Sequence, residues 1–160
     1  TEGFDCDTEF VSGRKLTGAQ IVAELRECAP QAKAIILTGG EPSLQIDTEL
    51  IELLKAEGYY LAIETNGTKA IPGGIDWVTV SPKTAEHTLR QTVANEVKYV
   101  KAKGQAIPRP TIKADYYLIS PTCQPDGRFL AEDMAWCVNL IKENPTWRLS
   151  LQTHKLLKVR

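Results

Sequence analysis

The run AIILTGGEPSL, residues 34–44, ends an apolar stretch in two glycines, a carboxylate and a proline. Without side chains at Gly39 and Gly40, backbone N–H and C=O groups there can meet a ligand at close range. Glu41 behind them could then accept from a cation or a hydroxyl; the same residues also satisfy a plain tight turn with a solvated glutamate. A phosphate loop is disfavoured, because no Lys-Ser/Thr pair follows the glycines. Upstream, CDTEF places Cys6 beside Asp7 and Thr8. A thiolate suits iron–sulfur or zinc centres, whereas carboxylate and hydroxyl oxygens suit magnesium; a single cysteine is more often a small buried hydrophobe. Three further polar clusters are ETNG (Glu64 to Gly67), SPK (Ser81 to Lys83) and SPTC (Ser120 to Cys123).

These clusters need a frame, and the hydrophobic pattern supplies one. Thr17 followed by Gln20 is a capping-box pair that opens a helix to Cys28, with Ile21, Val22, Leu25 and Cys28 on one face. Ala34 to Thr38 is a short apolar strand, buried on both faces if parallel. Asp47 caps a second helix with Leu50, Ile51 and Leu54 inward and Gly58 past its end. Strands follow at Tyr59 to Glu64, at WVTVSPK as far as Pro82, at EVKYV and at Tyr116 to Ser120, and one helical turn fits in 84–95. A helix from Ala131 to Asn144 carries Met134, Cys137, Val138 and Ile141 on one stripe and stops at Pro145; Trp147 to Leu151 is the last strand. Strand and helix alternating at this spacing predict an α/β fold with a parallel sheet and helical crossovers. Ligands in such folds bind at the C-terminal strand ends, and TGGEP, ETNG, SPK and SPTCQ all fall there.

The chain has 160 residues, 42% of them hydrophobic, which suits one domain with an ordinary core. Its net charge of −1 leaves no general footprint for nucleic acid or an anionic membrane. No apolar run approaches the ~18 residues of a membrane span, and no secretory segment opens the chain, so a cytoplasmic location is expected. Cys6, Cys28, Cys123 and Cys137 are then thiols or metal ligands. Cys28 and Cys137, on apolar helix faces, are expected in the core, as are Trp77, Trp136 and Trp147; His87 is expected in solvent. His154 and the basic tail of Lys155, Lys158 and Arg160 also read as surface groups.

Taken together, TGGEP after an apolar strand, CDTEF, ETNG, TVSPK and the terminal WRLSLQTHKLLKVR resemble the 7-carboxy-7-deazaguanine synthase family of radical S-adenosylmethionine enzymes, along residues 1–160. GGEP belongs to the wider superfamily; its combination with CDTEF and WRLS-Q-THK is narrower. The resemblance implies an incomplete (β/α)6 barrel that forms a homodimer. It also implies magnesium and a [4Fe–4S] cluster held by three cysteines, with one iron open to S-adenosylmethionine. Of the motif C-x-x-x-C-x-x-C only Cys6 can be matched, as its last cysteine. TEG at the start resembles a segment that lies well before the cysteines. A loop with the other two is therefore expected between Gly3 and Phe4, in what is otherwise a single radical S-adenosylmethionine domain over 1–160.

By the same resemblance, Gly39, Gly40 and Glu41 receive the methionine ammonium group. Ser81, Pro82, Lys83, Ser120, Pro121, Thr122 and Cys123 line the cofactor, and Glu64 and Asn66 lie near its ribose. Thr1, Glu2, Thr38, His154 and Arg160 match substrate-binding positions, and Thr8 matches a magnesium ligand. The implied substrate is 6-carboxy-5,6,7,8-tetrahydropterin. Electron transfer to the sulfonium, hydrogen abstraction from the pterin, ring contraction and loss of ammonia would give 7-carboxy-7-deazaguanine, in the 7-deazapurine (queuosine) pathway. An electron donor such as flavodoxin is implied, and neither nucleic acid nor membrane as partner. Two other readings stay open: another radical S-adenosylmethionine enzyme, such as a glycyl-radical activase, and a nucleotide-binding module without a cluster.

Overall fold

A computed structural model of the chain describes residues 14–124 and 126–153. They fall into two compact units that divide between Thr92 and Val93. Unit 1 holds α1 (Gly18–Cys28), β1 (Ala34–Leu37), α2 (Thr48–Ala56), β2 (Tyr60–Thr65) and β3 (Trp77–Val80). β2 pairs in parallel with β1 on one side and β3 on the other. The predicted capping box opens α1: Gln20 N donates to the Thr17 hydroxyl, and Thr17 N donates to the Gln20 side chain at 2.8 Å. Asp47 caps α2 by accepting from Leu50 N at 2.9 Å.

Strand alternation sorts the side chains of unit 1 onto two faces. Ile35, Leu37, Leu61 and Ile63 pack with Val22 of α1 and Ile51 and Leu54 of α2 in one cluster. Ile36, Tyr60 and Glu64 point the other way and stay exposed; Ile36 is 63% accessible. β1 is therefore buried on one face and not on both, because α1 and α2 lie on the same side of it. Cys28 is exposed, contrary to its helix periodicity. It is the last residue of α1, past the turn where Val22 meets the core. His87 is exposed, as predicted, in the middle of the 3-10 turn Glu86–Thr88, which is the helical turn expected in 84–95.

Asp76 ties the entry of β3 to its neighbours. Its carboxylate accepts from Leu61 N at 2.7 Å and from Lys55 Nζ of α2 at 2.7 and 2.9 Å. The Leu61 amide first, and Lys55 second, hold this carboxyl below its ordinary 3.8. A depressed carboxyl contributes stability above its unfolded value and loses it as pH falls through the folded one. Asp76→Asn is therefore expected to destabilise the protein at neutral pH, with the gap to the parent protein closing below about pH 3.8. Denaturant midpoints across pH 2–7 check this; a gap that stays constant down to the lowest pH contradicts it.

Unit 2 holds β4 (Val93–Lys101), β5 (Lys113–Pro121), α3 (Ala131–Glu143) and β6 (Trp147–Leu149), with β5 parallel to both other strands. β4 is longer than the EVKYV core that signals it. The general expectation of helical crossovers fails at two connections within the units, residues 66–76 between β2 and β3 and 102–112 between β4 and β5, which carry no α-helix. Pro72, Gly73 and Gly74 in the first, and Gly104, Pro108 and Pro110 in the second, explain this, since neither residue type suits a helix interior. The buried stripe of α3 is Asp133, Cys137 and Leu140, so of the predicted Met134, Cys137, Val138 and Ile141 only Cys137 is fully buried. Asp133 takes the inward place because it accepts from Lys103 N at 2.8 Å. Burial pushes the Cys137 thiol up, and its Sγ donates to the Lys101 carbonyl at 3.6 Å, so it is a protonated core group. Trp147 is buried against Tyr99 and Tyr117. Among the described residues no helix is long and apolar enough to cross a membrane.

Candidate active site

In unit 1 the strand ends converge on one carboxylate. The chain leaves β1 through Gly39 and Gly40, both in the left-handed region at φ 79° and 55°. Only glycine adopts that pair of conformations without strain. Glu41 follows, 9% exposed, and caps a short 3-10 turn by accepting from Ser43 N at 3.1 Å. The same oxygen accepts from the Thr65 hydroxyl. The other accepts from Asn66 N at 2.7 Å. Glu41 is thus neither a solvated turn residue nor a free base. It fastens the double-glycine turn after β1 to the end of β2.

The ETNG segment is built to receive this carboxylate. Thr65 is the last residue of β2, and alternation turns it to the helix-covered face while Glu64 points to the bare one. Its hydroxyl also accepts from Gly67 N at 3.2 Å. Asn66 accepts on Oδ1 from Thr68 N at 2.8 Å and from the Thr68 hydroxyl at 2.7 Å. Its Nδ2, in a residue only 6% exposed, finds no partner among the described residues; neither does the fully buried Ser43 hydroxyl. Buried polar atoms in folded proteins are nearly always paired, so orphans mark places for a ligand or water. Ser81 N donates to the Thr65 carbonyl at 2.8 Å, which sets SPK beside ETNG. Ser81 and Pro82 are half-buried and Lys83 is exposed; Thr38, before the glycines, is exposed.

In unit 2, Ser120 and Pro121 close β5 and are buried. The Ser120 hydroxyl is a further orphan. Thr122 N donates to the Lys101 carbonyl at 3.1 Å. Cys123 is half-buried, with its thiol at 3.5 Å from the Gln124 carbonyl and its backbone bridged to Phe129. Thr1, Glu2, Cys6, Thr8, His154 and Arg160 lie outside the described residues. Unit 1 therefore brings Gly39, Gly40, Glu41, Asn66 and Ser81 together, and unit 2 sets Ser120 to Cys123 at the end of β5. Sequence reasoning missed Thr65 and Ser43. The available signal for Thr65 was parity: it shares a strand face with the buried Leu61 and Ile63.

Residues 5–103 match the model of the radical SAM superfamily. Along 97% of its length the chain is 42% identical to the 7-carboxy-7-deazaguanine synthase of Bacteroides thetaiotaomicron, covering 80% of that protein. It is 36% identical to the synthase of Bradyrhizobium diazoefficiens, again over 97% of the chain and 77% of the relative.

The chain belongs to the 7-carboxy-7-deazaguanine synthase family.

A solved structure of QueE from Escherichia coli shares the fold, with a TM-score of 0.61 at 22% identity. The match covers 86% of this chain, which spans 64% of that one. Membership of this radical S-adenosylmethionine family brings a [4Fe–4S] cluster and S-adenosylmethionine as cofactors. The described part of the synthase-family chain fits the second of these. In unit 1 two left-handed glycines leave backbone open to a ligand, and the Asn66 amide and the Ser43 hydroxyl are buried without partners among the described residues; in unit 2 the same holds of the Ser120 hydroxyl. For the cluster, no group of three potential metal ligands occurs among the described residues.

Proposed function

We propose that this chain is a 7-carboxy-7-deazaguanine synthase that contracts 6-carboxy-5,6,7,8-tetrahydropterin to 7-carboxy-7-deazaguanine with loss of ammonia. The observation that carries this is the similarity to named synthases along 97% of the chain. When bound, the cluster and S-adenosylmethionine supply one-electron cleavage of the sulfonium and hydrogen abstraction. The protein's own groups bind and orient. The Gly39–Gly40 backbone takes the methionine ammonium group, held in place by Glu41. The amide of Asn66 and the hydroxyl of Ser120 donate to acceptors on the nucleoside, and Glu64 and Ser81 to Lys83 lie alongside. Thr122 and Cys123 offer backbone groups.

Cys6 holds the cluster with two cysteines of a loop that belongs between Gly3 and Phe4. Thr8 and the pterin carboxylate hold magnesium, whose hard-oxygen preference suits both. Thr1, Glu2, Thr38, His154 and Arg160 contact the pterin. The protein works as a cytoplasmic homodimer, one radical S-adenosylmethionine domain per subunit, reduced by a flavodoxin-type donor.

The test is anaerobic turnover by the reconstituted full-length protein with the carboxypterin, S-adenosylmethionine and a flavodoxin system. Equimolar ammonia and 7-carboxy-7-deazaguanine are expected. Cleavage of S-adenosylmethionine with the pterin left intact contradicts the assignment. In the same assay Thr8→Val is expected to flatten the dependence of rate on magnesium; an unchanged magnesium response removes Thr8 from the metal site.

A further inference from the structure

The two sheet faces of unit 2 are unlike. Val97, Tyr99, Ile119 and Trp147, the buried strand residues around the aromatic cluster, all lie on one face, and α3 packs against β5 and β6. The opposite face carries charge on adjacent strands. Register sets Glu96 beside Tyr116, Lys98 beside Leu118, and Leu118 beside Arg148. The guanidinium of Arg148 lies over the ring of Tyr116, with Cζ 4.2 Å from its centroid. Ser120, with its buried orphan hydroxyl, is on this same face two residues beyond Leu118.

Stacking fixes the plane of a guanidinium while leaving its N–H donors free at the edge. Arg14, Arg26 and Arg128 each spend theirs on a carboxylate, Glu24, Glu57 and Asp126. Among the described residues Arg148 pairs with no acidic group, and it is exposed. A cation on the edge strand β6, seated over a ring and unpaired among the described residues, is available to a planar anion, which a guanidinium grips with two parallel hydrogen bonds.

We propose that Arg148, laid on Tyr116, is a carboxylate-binding residue on the helix-free face of unit 2. This rests on the function above, in which both reactants, S-adenosylmethionine and the carboxypterin, carry a carboxylate. The residue acts by ground-state recognition, so its loss raises a binding constant.

The experiment compares Arg148→Met, Arg148→Lys and Tyr116→Leu with the parent protein, all reconstituted anaerobically. One arm measures S-adenosylmethionine binding without pterin; the other measures the pterin KM at saturating S-adenosylmethionine. Loss of a two-pronged charged contact is expected to raise one of these constants roughly tenfold or more in Arg148→Met. Arg148→Lys, which keeps charge but not the fork, recovers only part of it, and Tyr116→Leu gives a smaller rise of the same constant. A rise in the first arm assigns the methionine carboxylate, and a rise in the second the pterin carboxylate. Both constants unchanged in Arg148→Met overturn the proposal. Should Arg148→Met fail to fold, Arg148→Lys decides: parent-like constants in both arms overturn it. If the parent protein binds S-adenosylmethionine but makes no product from the pterin, the functional assignment fails while the first arm still tests Arg148.

Discussion

Glu41→Gln is expected to destabilise the protein by about 2–4 kcal/mol, since charged hydrogen bonds contribute ~1.5–3 kcal/mol each and are not additive. The carboxylate serves three donors: Ser43 N, the Thr65 hydroxyl and Asn66 N. An amide keeps one acceptor oxygen and turns an NH2 group toward donors. The glycine turn then loses its tie to β2, and S-adenosylmethionine affinity is expected to fall at least about tenfold, or ~1.4 kcal/mol. Denaturant unfolding and equilibrium binding to the reconstituted protein read the two effects separately. Thr65→Val, which removes one of the three donors, is expected to show the same two losses at smaller size, and Thr65→Ser to restore both. A Glu41→Gln protein that unfolds and binds like the parent would remove the fastening role.

Gly67→Ala carries the second large effect, for two independent reasons. Its φ of +78° is left-handed, which costs an L-residue ~1–2 kcal/mol. An added Cβ would also stand 2.7 Å from Cγ1 of Val80, a fully buried side chain. Overpacking of that kind costs ~1–3 kcal/mol, so about 2–5 kcal/mol is expected in total. Gly58→Ala separates the two causes, because Gly58 has a φ of +81° and nothing within 4 Å of its would-be Cβ. Gly58→Ala should lose only the backbone part. Equal losses at the two glycines, read from denaturant midpoints, would exclude the contact with Val80.

Much of the frame was legible because local signals and tertiary structure agree. The Thr17–Gln20 box, the Asp47 cap and the Gly58 stop act within a few residues of themselves, so sequence states them directly. The polar clusters at strand ends were legible for a topological reason, since within each unit parallel strands put such loops at the same end. What could not be read depends on partners far along the chain. Glu41 looks like a turn residue until Thr65 and Asn66, more than twenty positions on, are found around it. Asp133 breaks an apolar stripe because Lys103 N waits for it across thirty residues. Cys28 follows the period of α1 to a place where the core has already ended. The expectation of helical crossovers was a general one, and the prolines and glycines of 66–76 and 102–112 mark where it does not hold. Arg148 lies in a motif that marks the family, yet its stacking on Tyr116 appears only when β5 and β6 pair.

In the function proposed above, ring contraction begins with hydrogen transfer from the pterin to the nucleoside half of S-adenosylmethionine. Anaerobic turnover of carboxypterin deuterated on its reduced ring carbons reads this step, with nucleoside, cofactor and product analysed by mass spectrometry. Deuterium is expected at the 5′ carbon of the nucleoside, in 5′-deoxyadenosine or, because loss of ammonia leaves the conversion redox-neutral and the hydrogen is handed back, in S-adenosylmethionine re-formed from it. Complete ring contraction with no deuterium at that carbon in either species would contradict the proposed step.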